Sequence, residues 1–434
     1  MTNQLPELRP LTAFRFFAAL AVFFRHLYPW FKENPDLPWV LHCFMNDGFC
    51  GVTFFFVLSG FVLTYNYRHS FDRLTRPGLR NFYIARVARI WPVHLLTFGL
   101  ALVVLHEQIL EDPSGYIRPA VANLTLTQSF FPVQGIYFSF NSVSWSLSDE
   151  IFFYAMFPLI LWTMRSTGLN RPLGCCVLAI GVWIGAVACV ILGRDDEIGF
   201  WMWYVCPVFR LVDFLIGVAL GQIFLGLKDR EFRGPNFRQA SLLEIGSLAF
   251  VMVAILASPS VNYLLRRSVY YTPFFAVVIL VFAYQKGIIS RLISGKLLRL
   301  FGEASYSFYM FHFLLIHLAD RYPRVTHLGS LDPVTRSVAV FAISLLVSIA
   351  CYYWFEVPAR TRVRSWLTRR YGSEDRGQKT EDRGQKTEIR DQKSEDRGQK
   401  TEDRDQKSED RGQRREDRGQ RTEDRDQKSE VGGQ

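Results

Sequence analysis

The chain has 434 residues and a formal net charge of +10; 49% of its residues are apolar, including 38 Phe and 10 Trp. Mean hydropathy is +0.09 even though everything after residue 371 is almost purely polar, so the body is far more apolar than the average. It holds repeated apolar runs of about 20 residues, which a soluble domain does not bury. A soluble enzyme is thereby excluded. The basic excess of the body (33 basic against 21 acidic residues before Gly372) reads as loops on one membrane face rather than as a nucleic-acid surface.

In chain order the apolar segments centre on 11–30, 48–67, 86–105, 147–164, 173–192, 200–225, 241–258, 269–285, 303–319 and 336–356. Each supplies most of the roughly 30 Å of helix that a bilayer requires. The expected fold is all-α, a polytopic transmembrane bundle of about ten spans. The first span carries no small-residue cleavage site and reads as a retained anchor. Basic residues cluster in alternate connections: Arg68, Arg73, Arg76, Arg80 and Arg86; Arg165 and Arg171; Lys228, Arg230, Arg233 and Arg238; Lys286, Arg291, Lys296 and Arg299; and Arg360 to Arg370. The positive-inside rule then places both termini in the cytoplasm. Arg266 and Arg267 break this pattern, which does not explain them. The longest opposite connection, 106–146, contains FFPVQGIYFSFNSVSW and reads as a lid or re-entrant piece. The seven cysteines form no CxxC pair and read as small hydrophobes.

The end of the chain is a repeat close to EDRGQKT, with Glu374, Glu381, Glu388, Glu395, Glu402, Glu409, Glu416, Glu423 and Glu430 recurring every seven residues. It has no apolar a/d stripe, and glycines interrupt it, so a coiled coil is excluded and disorder is expected.

Charges inside a span are costly and usually face a protein interior or a water-filled path. Here they are Arg15, Arg25 and His26 in the first span, Arg210 and Asp213 in the sixth, Glu303 and His312 around the ninth, and Glu356 at the end of the tenth. Taken singly, Arg15, Arg25 or Arg360 reads as a snorkelling or topology charge; together the groups read as a polar chamber. Arg15 and His26 lie about 16 Å apart along one face. Arg210 and Asp213 are three apart and able to pair. Tyr306, Tyr309 and His312 share one side of the ninth helix. Histidine suits a general base for an attacking hydroxyl; arginine suits a phosphate or a developing oxyanion. A transferase fits these residues, and so does a proton-coupled transporter or exporter. A non-catalytic scaffold with an interaction tail is the third reading.

The Arg15-x10-His26 spacing resembles the signature of the acyltransferase-3 family of integral membrane O-acyltransferases. GVTFFFVLSGFVL (51–63), FYIARVARIWP (82–92), WSLSDEIFFY (145–154), RLVDFLIG (210–217), GEASYSFYMFH (302–312) and Glu356-Val-Pro358 resemble further segments of that family, in order. The resemblance implies transfer of an acyl group, often acetyl, from cytoplasmic acyl-CoA to a hydroxyl on a saccharide, a lipid-linked saccharide or another acceptor. It implies His26 as the essential histidine with Arg15 as its partner, and Glu150 and His312 in the catalytic group. Arg86 and Arg89 would meet the CoA phosphates. Arg210, Asp213, Tyr306, Tyr309 and Glu356 would support the site. A thioester is already activated, so neither a metal nor a serine nucleophile is expected; Ser144, Ser146 and Ser148 read as caps and packing groups, and no bound cofactor is expected beyond the donor substrate. The expected organisation is a transmembrane acyltransferase domain over 1–370 and a disordered repeat tail over 371–434, in a bacterial cytoplasmic membrane. Some relatives carry a soluble C-terminal hydrolase-like domain. Here the repeat stands in that place, which implies a stand-alone form or one served by a separate periplasmic partner.

Overall fold

The computed structural model describes residues 6–230, 234–326, 328 and 331–371. The heptapeptide repeat lies outside the described residues. One compact unit runs to Trp366; of the second, only Leu367–Tyr371, the end of a helix, is described.

All regular structure among the described residues is helical. Ten helices correspond to the expected spans: α1 (Arg9–Leu27), α2 (Cys50–Tyr67), α3 (Arg76–Val104), α4 (Trp145–Ser166), α5 (Pro172–Leu192), α6 (Pro207–Asp229), α7 (Phe237–Ala257), α8 (Thr272–Ala283), α9 (Ser305–Arg321) and α10 (Pro333–Cys351). Among the described residues, nine helical segments are long and apolar enough to cross a membrane, and α9 is not one of them. It has 17 residues and gives much of its surface to Tyr306, Tyr309, His312 and His317. It nevertheless packs between α1, α3 and α10. The protein is a polytopic membrane protein.

Proline at the first turn starts α1, α3, α5, α6 and α10, where its missing N–H costs nothing. The helix α3 begins ten residues before the expected span. Thr75 caps it by accepting from the Gly78 N–H, and the arginines expected in a loop are good helix formers on an exposed turn. The basic stretch 286–299 is likewise largely helical, as Ile288–Ile293 and Lys296–Glu303. The latter lies against α1, where Arg299 pairs with Glu303 at 3.4 Å.

At the centre, α2 is apolar on all sides and mostly buried, against α1, α6 and α8. Its contact with α6 depends on glycine. A Cβ on Gly60 would stand 2.2 Å from the Phe214 carbonyl oxygen, and one on Gly217 would stand 2.0 Å from that of Val57. Gly217 and Gly221 form a GxxxG pair, the pattern that lets two membrane helices approach backbone to backbone. At the periphery, α5 buries only Cys175, Ala186 and Val190, while Leu173, Val177, Ile180 and Ile191 are exposed. Such a large apolar surface requires an apolar solvent, here lipid. All seven cysteines are free thiols.

The 106–146 connection folds into short helices, His106–Glu111 and Pro113–Leu124, followed by tight turns. Its buried polar groups are bonded inward: Asn141 Nδ2 donates to the Met310 carbonyl at 2.9 Å, and Gln128 Nε2 donates to the Ser144 carbonyl at 3.0 Å. It covers the bundle at the end of α1 where His26 lies.

Candidate active site

Two cavities meet inside the bundle. The first, of about 270 Å³, is lined by Arg15, Arg86, Arg89, Ser59, Glu150, Tyr154, Ser146, Tyr306 and Tyr309 among apolar residues of α2. The second, of about 320 Å³, is lined by Arg25, His26, Tyr204, Tyr263 and Arg267, together with Phe138, Ser142 and Val143 of the covering connection. Val52 and Tyr309 line both, so they form a shared wall. We refer to them as the inner and outer chambers, the inner lying on the side of the N-terminus. The inner chamber continues outward into a larger space of about 720 Å³, past Asn66 and Arg86 to Arg68, His69 and Asp229.

The inner chamber is a charge cluster. Arg15 and Arg89 share their surroundings with Glu150, Tyr154 and Glu356. Tyr154 donates to Glu150 Oε1, one helical turn away on α4. Ser307 donates to Glu356 Oε2 at 2.6 Å. Glu356 is turned inward by a π-helical turn, Tyr352–Glu356, between α10 and the last helix; such bulges re-aim side chains and are frequent at functional sites. The guanidinium of Arg86 lies 5.5–5.6 Å from the rings of Tyr67, Phe82 and Tyr154, and it donates to the Tyr67 hydroxyl at 3.3 Å. These contacts hold it at the junction of the inner chamber and the outward space. Tyr306 is tied to the Ile90 carbonyl at 2.7 Å, and Tyr309 to Ser146 at 2.8 Å. Of the three serines, Ser146 therefore reaches the chamber wall, while Ser144 and Ser148 are packing groups bonded to Asn123 and Ser129.

His26 faces the outer chamber. Its ring centroid lies 5.4 Å from that of His312 and 4.9 Å from that of Phe313. His312 is fully buried. Its Nδ1–H donates to the Phe308 carbonyl at 3.2 Å, and its Nε2 has no hydrogen-bond partner. The bond at Nδ1 leaves a lone pair on Nε2.

Arg210 and Asp213 do not line either chamber. They form a fully buried ion pair at 2.9 Å behind α2. Arg210 also donates to the Ser268 carbonyl and to Thr53 Oγ1, both at 2.8 Å, and Thr272 donates to Asp213 at 2.5 Å. The pair joins α2, α6 and α8, and its guanidinium lies 5.2 Å from the ring centre of Phe56, an inner-chamber residue.

Tyr154 is a chamber residue that no motif singles out, although its i+4 spacing from Glu150 is a usable signal. The sequence pattern also leaves Arg267 without a role. The structure places Arg267 in the outer chamber beside Arg25, and pairs Arg266 with Asp47 at 3.7 Å. Nothing in the local pattern around 266–267 announces this, because Asp47 and Phe49 come from the turn into α2 and Phe200 and Tyr204 from the stretch before α6.

The model of the family described as "Acyltransferase domain" matches residues 10–353. Acyltransferase MdmB of Streptomyces mycarofaciens is 31% identical over 337 residues, 74% of this chain and 82% of its own length. Peptidoglycan O-acetyltransferase OatA of Listeria monocytogenes is 24% identical over 343 residues, 73% of this chain and 52% of its own. Putative peptidoglycan O-acetyltransferase YrhL of Bacillus subtilis is 24% identical over 365 residues, 81% of this chain and 55% of its own. The chain thus spans about half the length of these two peptidoglycan-named relatives. No solved structure matches it. A family match that begins at α1 and closes at the turn carrying Glu356 takes in both chambers, and on it the chain belongs to the acyltransferase-domain family as a membrane-bound acyltransferase.

Proposed function

We propose that the chain transfers an acyl group, acetyl in the first instance, from acyl-CoA to a hydroxyl of a cell-envelope saccharide, lipid-linked saccharide or related acceptor. In this reading it sits in a bacterial cytoplasmic membrane with both termini inside, and the activity resides in residues 1–370. One observation carries it: an arginine-rich chamber and a histidine-bearing chamber meet at one wall, formed by Val52 and Tyr309. The peptidoglycan-named relatives supply the precedent for an O-acetyl product.

The phosphates of CoA would meet Arg86, Arg89 and Arg15, for which a guanidinium is suited by its permanent charge and paired donors. Glu150 and Glu356 balance the charge of Arg15 and Arg89 between substrates. The pantetheine arm would run along Phe55, Leu58 and Val62 and bring the thioester to Tyr309. On the other side His26 takes the proton of the acceptor hydroxyl. The hydroxyl oxygen forms a bond to the acyl carbon, the carbon–sulfur bond breaks, and the proton passes from His26 to the departing CoA thiolate. His312 would orient His26, and Tyr309 and Arg15 would stabilise the tetrahedral oxyanion. Holding both substrates at one wall supplies the proximity on which such a transfer depends.

The test is mass spectrometry of envelope saccharides from cells lacking the gene, complemented with wild type or with His26→Ala. Loss of one acyl substituent that wild type restores and H26A does not supports the reading. An H26A protein that restores the acyl group overturns the role of His26. An unchanged saccharide profile overturns the acceptor class.

A further inference from the structure

The outer chamber contains two cations that the transfer chemistry above does not use. Arg25 precedes His26 at the end of α1, and Arg267 ends the short helix Tyr263–Arg267. Among the described residues, neither has a carboxylate within ion-pair distance. Asp47, at the turn into α2, is committed to Arg266 at 3.7 Å and to the Tyr271 hydroxyl at 2.5 Å. The strongest charged neighbour of Arg25 is Arg267 itself. Two guanidinium groups facing one small cavity repel each other, and an arrangement that keeps them there without an internal counterion is ready for an external one.

The surroundings of Arg267 strengthen this. Its guanidinium lies 4.8 Å from the ring centre of Phe49, 4.7 Å from Tyr263, 5.6 Å from Tyr204 and 5.7 Å from Phe200. Four rings covering a guanidinium hold it by cation–π attraction and occupy its faces. The N–H edge remains for an in-plane partner, the geometry in which arginine grips a carboxylate or phosphate. Its Nε is buried and has no hydrogen-bond partner. The π-helical turn Trp201–Val205 delivers Tyr204 to this cage, and Ser142 adds a hydroxyl to the same wall.

We propose that the outer chamber selects a hydroxyl acceptor that carries an oxyanion, a carboxylate or a phosphate, close to the hydroxyl to be acylated. Arg25 and Arg267 grip the oxyanion and so turn the hydroxyl toward His26. The proposal rests on the acyl-transfer reading above, and it narrows the acceptor from any saccharide to an anionic one.

The experiment uses the full chain in nanodiscs of phosphatidylcholine, a lipid without net charge. Binding of methyl glucuronoside, glucose 1-phosphate and methyl glucoside is followed by tryptophan fluorescence, since Trp145 lines the chamber, and by calorimetry. The expected result is that at least one anionic sugar binds about tenfold or more tightly than the neutral one, the scale of one hydrogen-bonded charge. R25Q and R267Q each bring that ratio toward one, and R267K, which keeps the charge and fills the aromatic cage, restores part of it. Which anionic sugar is preferred separates carboxylate from phosphate.

A wild-type protein with no preference, including one with no measurable binding of any of the three, overturns the proposal. So does a preference that survives both glutamine variants, which would leave the arginines to the oxyanion of the reaction. If phosphatidylglycerol in the nanodisc abolishes the preference, the site takes lipid headgroups and the acceptor assignment falls. The two readings fail separately: acyl transfer that persists in H26A sinks the transfer mechanism, whereas the binding ratio is read on the wild-type protein and on R25Q and R267Q alone.

Discussion

Arg15 and His26 lie three turns apart on α1, and each lines a different chamber. The helix therefore links the two chambers, and in the proposed reaction it sets a cation on the donor side and a base on the acceptor side. A shared wall at Val52 and Tyr309 means that neither substrate needs to cross the full bundle.

This division predicts separable kinetic defects. Arg86→Ala removes a ring-held cation from the mouth of the inner chamber and should raise the KM for acyl-CoA by about ten- to a hundredfold, the loss of one charged hydrogen-bonding contact. His26→Ala should instead lower kcat at saturating acyl-CoA by about 10² or more, as for a lost general base. Steady-state kinetics on the purified protein decides between them; an R86A variant whose defect lies wholly in kcat would place CoA elsewhere.

In the proposed mechanism His312 acts only through His26, whose ring centroid lies 5.4 Å away. His312→Phe keeps an aromatic ring but removes both ring nitrogens, the bond from Nδ1 to the Phe308 carbonyl included, and it should lower kcat while leaving the KM for acyl-CoA unchanged. It should also alter the pH profile of kcat/KM, which a purely structural role would leave in place. An unaltered profile with reduced stability would make His312 a packing residue.

The α2–α6 contact predicts a sharp difference between two glycines. Gly217→Ala places a methyl 2.0 Å from the Val57 carbonyl oxygen and should destabilise the bundle by about 1–3 kcal/mol through overpacking. Gly99→Ala meets nothing within 4 Å and should be neutral or stabilising by up to about 1 kcal/mol, from better helix propensity. Thermal unfolding in detergent reads both.

Asp213→Ala would leave Arg210 buried and unpaired, at an expected cost of about 3–5 kcal/mol. The double replacement Arg210→Met with Asp213→Leu removes both charges and should cost less than the single change. If the double variant is stable yet inactive, the pair acts on the site beyond holding α2, α6 and α8 together.

The family match ends at residue 353, well before the repeat. Removing residues 372–434 should leave acyl transfer to a defined acceptor unchanged in a membrane assay. A loss of transfer with undiminished membrane insertion would assign the repeat a part in the reaction.

Much of this was legible in the sequence because a bilayer imposes a simple rule. Apolar runs near 20 residues announced the spans, and polar groups inside them announced the chambers, since few such groups survive in lipid without a purpose. The ninth expected span, α9, forms as a helix but is too short and polar to be among the nine membrane-crossing segments of the described residues; its tyrosines and His312 recur on one side. Helix ends were read less well. Arg76–Arg86 and Lys296–Glu303 are polar or amphipathic helices, and hydropathy does not separate those from loops.

The sequence alone determined the membrane class, the helical fold and which side chains were costly enough to need a reason, because each follows from local composition and spacing. Tertiary structure decided which of them work together. Arg210 and Asp213, paired by spacing, proved to be a joint behind the site, whereas Arg267, unexplained by any pattern, entered the outer chamber. Assembly around a cavity depends on residues from α1, α2, α3, α4, α9 and the turns at 201–205 and 352–356 arriving at one place. Long-range packing brings them there, and sequence periodicity carries no record of it.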